Sequence, residues 1–168
     1  MNSPRFNGWF LSVQSEIIRK LIEYAAENKD QTFVVASRSG KSAQKLGEAL
    51  EGARIIAVSE FTYSENDKKS MKKQKINAVE NADLPIQDQR EMRETLLMFD
   101  AGIKAALEVA SIAASKGLVK GKYVAVAGSG NRLDTALIVN TVHPEAESIS
   151  EPIKRLKIER IIASPLIK

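Results

Sequence analysis

The sequence predicts an α/β fold: a three-layer α/β/α sandwich around a mostly parallel, mixed sheet. Three observations carry this. The β-prone runs 32–36, 54–58 and 123–127 lack polar alternation, as expected of strands covered on both faces. Segments with apolar residues at helical spacing lie between them. The connection from Ala127 to Thr135 is too short for a parallel crossover, which needs a dozen or more residues, so the next strand pairs back as a hairpin.

The elements follow in order. Residues 1–12 form an N-terminal arm with Pro4, Gly8 and the aromatics Phe6, Trp9 and Phe10. Val13, Ile17, Ile18, Leu21, Ile22, Ala25 and Ala26 then recur at helical spacing, with Ser12 or Ser15 as a cap and Asn28-Lys29-Asp30 as the stop. Strand 32–36 leads through a small polar loop, 37–42, into helix 43–50, closed by Gly52. Strand 54–58 opens into a hydroxyl-rich loop, 59–64, then a lysine-rich helix, 65–75, and a short strand, 76–79. Residues 85–117 read as helical with a break near Asp100 to Gly102. Strand 123–127, a glycine loop at 128–133 and strand 135–142 complete the hairpin. Residues 144–157 are irregular or partly helical, and a last strand spans 159–164 before Pro165. With no internal repeat and no Pro/Gly/Ser linker, residues 1–168 read as one α/β domain.

Composition narrows the chemistry. At 168 residues the chain can bury about 70% of its unfolded surface, so a hydrophobic core suffices to hold it. Cysteine is absent, which excludes disulfides, thiolate zinc and a cysteine nucleophile. The one histidine, His143, excludes a histidine metal cluster; it follows a strand and is the single candidate for general acid or base work, with no nucleophile paired to it in the sequence. No apolar run approaches the ~20 residues of a membrane span and residues 1–11 lack a signal-peptide core, so the expected location is the cytoplasm. The net charge of +4 and pI near 9.3 invite a nucleic-acid reading. However, Lys68, Lys69, Lys72, Lys73 and Lys75, set against Glu65 and Asp67, supply +3 of it. Acid first and base last is the order a helix dipole prefers, and no aromatic interleaves the lysines as single-strand binding would want. That helix reads as a solvated face, with an interaction module for an acidic or nucleic-acid partner as the alternative and nucleic acid the less favoured of the two.

Three loops follow strands that a parallel sheet would end at one edge: 37–42, 59–64 and 128–133. In open α/β sheets ligands bind beyond the carboxyl ends of the strands. The sharpest is Ser37-Arg38-Ser39-Gly40-Lys41-Ser42, running from strand to helix. Gly40 permits a tight turn, first-turn N–H groups lack helical partners, and the helix dipole, hydroxyls and cations favour a phosphate. The same loop also fits a capped turn whose serines satisfy only the backbone. Gly40-Lys41-Ser42 resembles the end of a P-loop, but that pattern needs glycine where Val35 stands, which excludes an NTPase. The second glycine loop, Gly128-Ser129-Gly130-Asn131-Arg132, leads into a strand and is no dinucleotide fingerprint. It reads either as a hairpin turn or as the far wall of the pocket, with Asn131 or Arg132 on the ligand; Asp134 reads equally as an acceptor for a ligand hydroxyl or as a tie for its own loop. Trp9 and Phe10 either pack on the domain or cover a flat ligand.

Beyond these patterns, the chain resembles the stand-alone proteins related to the C-terminal α/β domain of pyruvate kinase. The resemblance rests on Val34-Val35-Ala36-Ser37-Arg38-Ser39-Gly40-Lys41-Ser42-Ala43, Ala53-Arg54-Ile55-Ile56-Ala57-Val58, Lys122-Tyr123-Val124-Ala125-Val126-Ala127-Gly128 and Asp134-Thr135-Ala136-Leu137-Ile138-Val139. It spans about residues 15–165, is weakest over 63–89, and departs from the family at 128–133, where more glycine is expected. It implies a sheet of about five strands and flavin mononucleotide (FMN) as ligand, with no pyruvate kinase activity. On this reading Ser37, Arg38, Ser39, Gly40, Lys41 and Ser42 hold the phosphate, while Thr62, Gly128, Ser129, Gly130, Arg132, Asp134 and Thr135 line the rest. A sugar-phosphate-binding regulatory or isomerase-like protein is the alternative. A homo-oligomer is compatible with either reading, and no metal is expected.

Overall fold

The computed structural model describes residues 12–29, 31–128 and 132–167. The arm with Trp9 and Phe10, and Ser129, Gly130 and Asn131, lie outside the described residues. The order of elements is α1 (Ser12–Glu27), β1 (Thr32–Ala36), α2 (Lys41–Ala49), β2 (Arg54–Val58), α3 (Glu65–Lys73), β3 (Asn77–Val79), α4 (Arg90–Leu97), α5 (Ala101–Ser115), β4 (Lys122–Ala127), β5 (Thr135–Asn140) and β6 (Lys157–Ala163). Short 3-10 turns at Ala146–Ser148 and Pro152–Lys154 fill the connection before β6. No described helix is long and apolar enough to cross a membrane.

The six strands run in the order β3-β2-β1-β4-β5-β6. The first four are parallel; β5 is antiparallel to β4 and β6 antiparallel to β5. The mixed sheet and the hairpin are as expected, but there are six strands rather than about five. The period-2 alternation of side chains splits the strands between two cores. Phe33, Val35, Ile55, Val124 and Val126 face Ile17 and Leu21 of α1, Leu46 of α2 and Met71 of α3. Val34, Ile56, Tyr123, Ala125, Leu137 and Val139 face Ile103, Ala106, Ala110 and Ala113 of α5. The buried Tyr123 hydroxyl donates to the Ala110 carbonyl at 2.7 Å, which keeps a polar tip paired in an apolar layer.

Element ends depart from expectation where side chains intervene. The 85–117 segment is helical with its break where expected, since α5 starts afresh where the Asp100 carboxylate accepts from the Gly102 N–H at 2.8 Å, but 85–89 is a turn and the first helix begins only at Arg90. The lysine helix stops at Lys73 because Lys75 takes φ 60°, with the Ile76 N–H returning to the Met71 carbonyl at 2.8 Å. That is a Schellman closure, and its C″ and C3 residues, Ile76 and Met71, are both buried. β5 ends at Asn140, whose side-chain oxygen accepts from the Val142 N–H at 2.9 Å and turns the chain.

Candidate functional site

The chain leaves β1 for β2 by way of α2 on one face of the sheet, and reaches β4 by way of α5 on the other. The loops therefore part between the neighbouring carboxyl ends of β1 and β4, the switch point at which open α/β sheets bind ligands. A cleft of about 560 Å³ lies there. The strand ends Ala36 and Val58 contribute to it, the Ser37–Ser42 loop forms one wall, α5 forms the other through Lys104, Ala105 and Glu108, and Gly128, Arg132 and Leu133 close it.

The Ser37–Ser42 loop is anchored from below. The Ser37 N–H donates to Val58 O at 3.0 Å, and the buried Tyr63 hydroxyl donates to Ser37 O at 2.9 Å. Burial, reinforced by Glu80, raises the Tyr63 pKa, so the phenol remains a donor. The Ser59 hydroxyl donates to Arg38 O at 3.1 Å. Gly40 turns the chain at φ 89° over Met71, a left-handed conformation that side chains resist. With the backbone held this way, Ser37 Oγ accepts from the Ala43 N–H at 3.3 Å, so this one serine does act as a turn cap. Ser39 Oγ lies 3.4 Å from the Lys41 N–H, a long contact. The N–H groups of Ser39, Gly40 and Ser42 find no acceptor among the described residues.

Five cations line the cleft, Arg38, Lys41, Lys45, Lys104 and Arg132, against the carboxylates Glu60 and Glu108. Among the described residues none of the five enters an ion pair. The Arg38 guanidinium instead lies 4.7 Å over the Phe61 ring. Glu108 is 3% exposed, and its two oxygens accept from the Ile86 N–H at 2.6 Å and the Gln87 N–H at 2.9 Å. Burial pushes its pKa up, while those two bonds and Lys104 pull the other way. The Lys104 ammonium donates to Gln87 Oε1. Lys45, Lys104, Glu60 and Glu108 are the lining groups that sequence reasoning missed. The signal for Glu108 was present: it is the one charged residue in the otherwise apolar and small run 105–114.

Several expected site residues face elsewhere. The Thr62 hydroxyl donates to Asn81 Oδ1 at 2.9 Å, in the loop after β3, and does not line the cleft. Thr135 is fully buried, and its hydroxyl donates to Asp134 Oδ1 at 2.8 Å. The pair packs against the start of α5, where a Cβ on Gly102 would collide with Thr135 Oγ1 and lie 2.9 Å from Asp134 Oδ1. Asp134 and Thr135 thus join the hairpin to α5 instead of lining the cleft. Gly128 does line it, and a Cβ there would overlap the Arg132 carbonyl. His143 is at the opposite edge of the sheet: β5 begins beside Ala127 and ends at Asn140 beside Lys122, and His143 lies beyond that end. Its Nε2 is 2.6 Å from Arg155 O and its Nδ1 3.3 Å from Glu145 Oε2, so it ties down the 144–156 connection and takes no part in the cleft.

No protein-family model matches the chain, and no curated protein matches it.

Proposed function

We propose that the protein binds a phosphorylated small molecule in the cleft between the ends of β1 and β4, with FMN as the favoured ligand. The supporting observation is that, among the described residues, N–H groups without acceptors in the Ser37–Ser42 loop and cations without ion-pair partners meet at one cleft. Charge-assisted hydrogen bonds to a phosphate are worth roughly 1.5–3 kcal/mol each, and three or four of them offset much of the entropy lost on binding. Ser39, Gly40 and Ser42 would hold the phosphate, with Lys41 and Lys45 supplying charge. Ser37 acts beneath them by fixing the turn. A flavin ring suits the remainder of the cleft, where Ala36, Val58, Leu84, Ala105, Val109 and Leu133 offer apolar surface. The volume falls within the ~300–1,000 Å³ range of small-molecule sites.

The resemblance to the proteins related to the pyruvate kinase C-terminal domain is the reason to place FMN first. The Glu60 carboxylate suits a sugar hydroxyl and keeps a sugar phosphate as the second reading. No reaction is proposed. The experiment is an absorbance spectrum and mass analysis of whatever co-purifies, followed by thermal-shift titration with FMN and with sugar phosphates. Stabilisation by FMN supports the first reading, stabilisation by sugar phosphates alone supports the second, and stabilisation by neither rejects both.

A further inference from the structure

The charges of the ligand cleft are divided unequally between its two sides. Arg38, Lys41 and Lys45 belong to the loop wall, where among the described residues the lining carboxylate is Glu60. Glu60 stands between Ser59, whose hydroxyl donates to Arg38 O, and Phe61, whose ring lies under the Arg38 guanidinium, so it belongs to that same side. Three cations against one carboxylate leave the loop wall two positive charges. Lys104 and Arg132 belong to the opposite side. They come from distant stretches of chain, but the connection that carries Arg132 is packed on the first turn of α5, where a Cβ on Gly102 would meet Thr135 Oγ1 and Asp134 Oδ1. The lining carboxylate here is Glu108, one turn after Lys104. Its oxygens accept from the Ile86 and Gln87 N–H groups, which suits the ionised form. Two cations against one carboxylate leave the α5 side a single positive charge.

The two sides therefore match different anions. A phosphate monoester carries about −1.5 to −2 near neutral pH, which suits the loop wall. A carboxylate carries one negative charge, and the planar fork of an arginine fits its two oxygens. A single phosphate held at the loop leaves the charge of the α5 side without a counterpart, and a ligand that fills the cleft would take that charge out of water unpaired, which is unfavourable. A cleft of about 560 Å³ is roughly 10 Å across, wide enough for a six-carbon chain with an anionic group at each end. We propose that Lys104 and Arg132 form a carboxylate subsite, and that the cleft takes a phosphorylated sugar acid with its phosphate at the Ser37–Ser42 loop and its carboxylate on the α5 side. This rests on the loop being a phosphate site and sharpens the sugar-phosphate reading; FMN, with one anionic group, engages the loop wall alone.

The test is calorimetric titration of the purified full chain with 6-phosphogluconate and with glucitol 6-phosphate, which has a hydroxymethyl group where the acid has its carboxylate. The acid should bind at least about tenfold more tightly. Arg132 is exposed, so Arg132→Gln should leave the melting temperature unchanged. It should cut the preference for the acid to about threefold or less while glucitol 6-phosphate stays within about twofold of its wild-type affinity. Lys104→Gln should lower the preference in the same way. Ser39→Ala with Ser42→Ala should weaken both ligands alike, because it acts on the phosphate. Equal affinity for the two ligands, or a preference that survives in both Arg132→Gln and Lys104→Gln, would overturn the carboxylate subsite and leave the phosphate reading standing. Binding of FMN with binding of neither six-carbon ligand would do the same. Binding of none of the three would end both readings.

Discussion

Gly40 and Gly128 both line loops where a parallel strand reaches the cleft, yet each position calls for glycine for a different reason. At Gly40 the demand is conformational: φ is 89°, and among the described residues the neighbouring N–H groups find no acceptor. At Gly128 the demand is spatial, because the Arg132 carbonyl occupies the volume a Cβ would need. The residues that follow diverge in the same way. Ser39, Lys41 and Ser42 line the cleft, whereas Asp134 and Thr135 turn to one another and to the first turn of α5. Glycine at a strand end can thus be required by conformation, as at Gly40, or by close packing, as at Gly128.

Substitutions should separate the two loops. The largest effect is expected from Gly128→Ala, which sets a methyl group against backbone that cannot yield. It should lower unfolding free energy by about 3 kcal/mol in a denaturant titration. Gly40→Ala should cost less stability, about 1–2 kcal/mol, since the strain is a left-handed alanine and the nearest atom, Met71 Cε at 2.9 Å, ends a flexible side chain. Its greater effect should be on ligand: moving the N–H groups removes at least one charge-assisted bond, so FMN affinity should fall about tenfold. Equal losses of stability at the two glycines would erase the contrast.

How far these roles were legible in the sequence depended on range. The strand runs, the hairpin and the Ser37–Ser42 loop were readable because each is set by neighbours: β-prone runs, a short connection, glycine before a helix. The residue patterns named six strands, the short one at 76–79 included, and six formed; the figure of about five came from the resemblance alone. Glu108 stood out as a lone charge in an apolar run, but its place in an α5 wall of the cleft was not readable. Lys104 and Glu108 reach the cleft from more than 60 positions beyond Lys41, and only the packing of α5 across β1 and β4 brings them there. Thr62, Asp134 and Thr135 were assigned to the cleft by residue type and loop membership, which do not tell which way a side chain leaves the backbone.

The smallest expected effect concerns Glu108. Burial holds its carboxyl above the ordinary 4.5. Its contribution to stability is therefore complete below about pH 4.5 and is lost as pH rises through the folded-state value, since the native state keeps its proton longer than the unfolded chain. Glu108→Gln should remove this part of the pH dependence, so stability curves for wild type and variant should converge toward acid pH and diverge toward neutrality. Parallel curves would mean that folding leaves its pKa unchanged, and curves that separate toward acid pH would mean that the Ile86 and Gln87 N–H groups hold it ionised.

The central claim, that the Ser37–Ser42 loop recognises a phosphate, is tested most directly by titrating FMN and riboflavin, which lacks the phosphate, into wild type and into Ser39→Ala with Ser42→Ala. Wild type should bind FMN at least about tenfold more tightly than riboflavin, and the double variant should lose most of that preference while keeping its stability within about 0.5 kcal/mol. Equal affinity of wild type for the two flavins, or a phosphate preference that survives in the double variant, would contradict it.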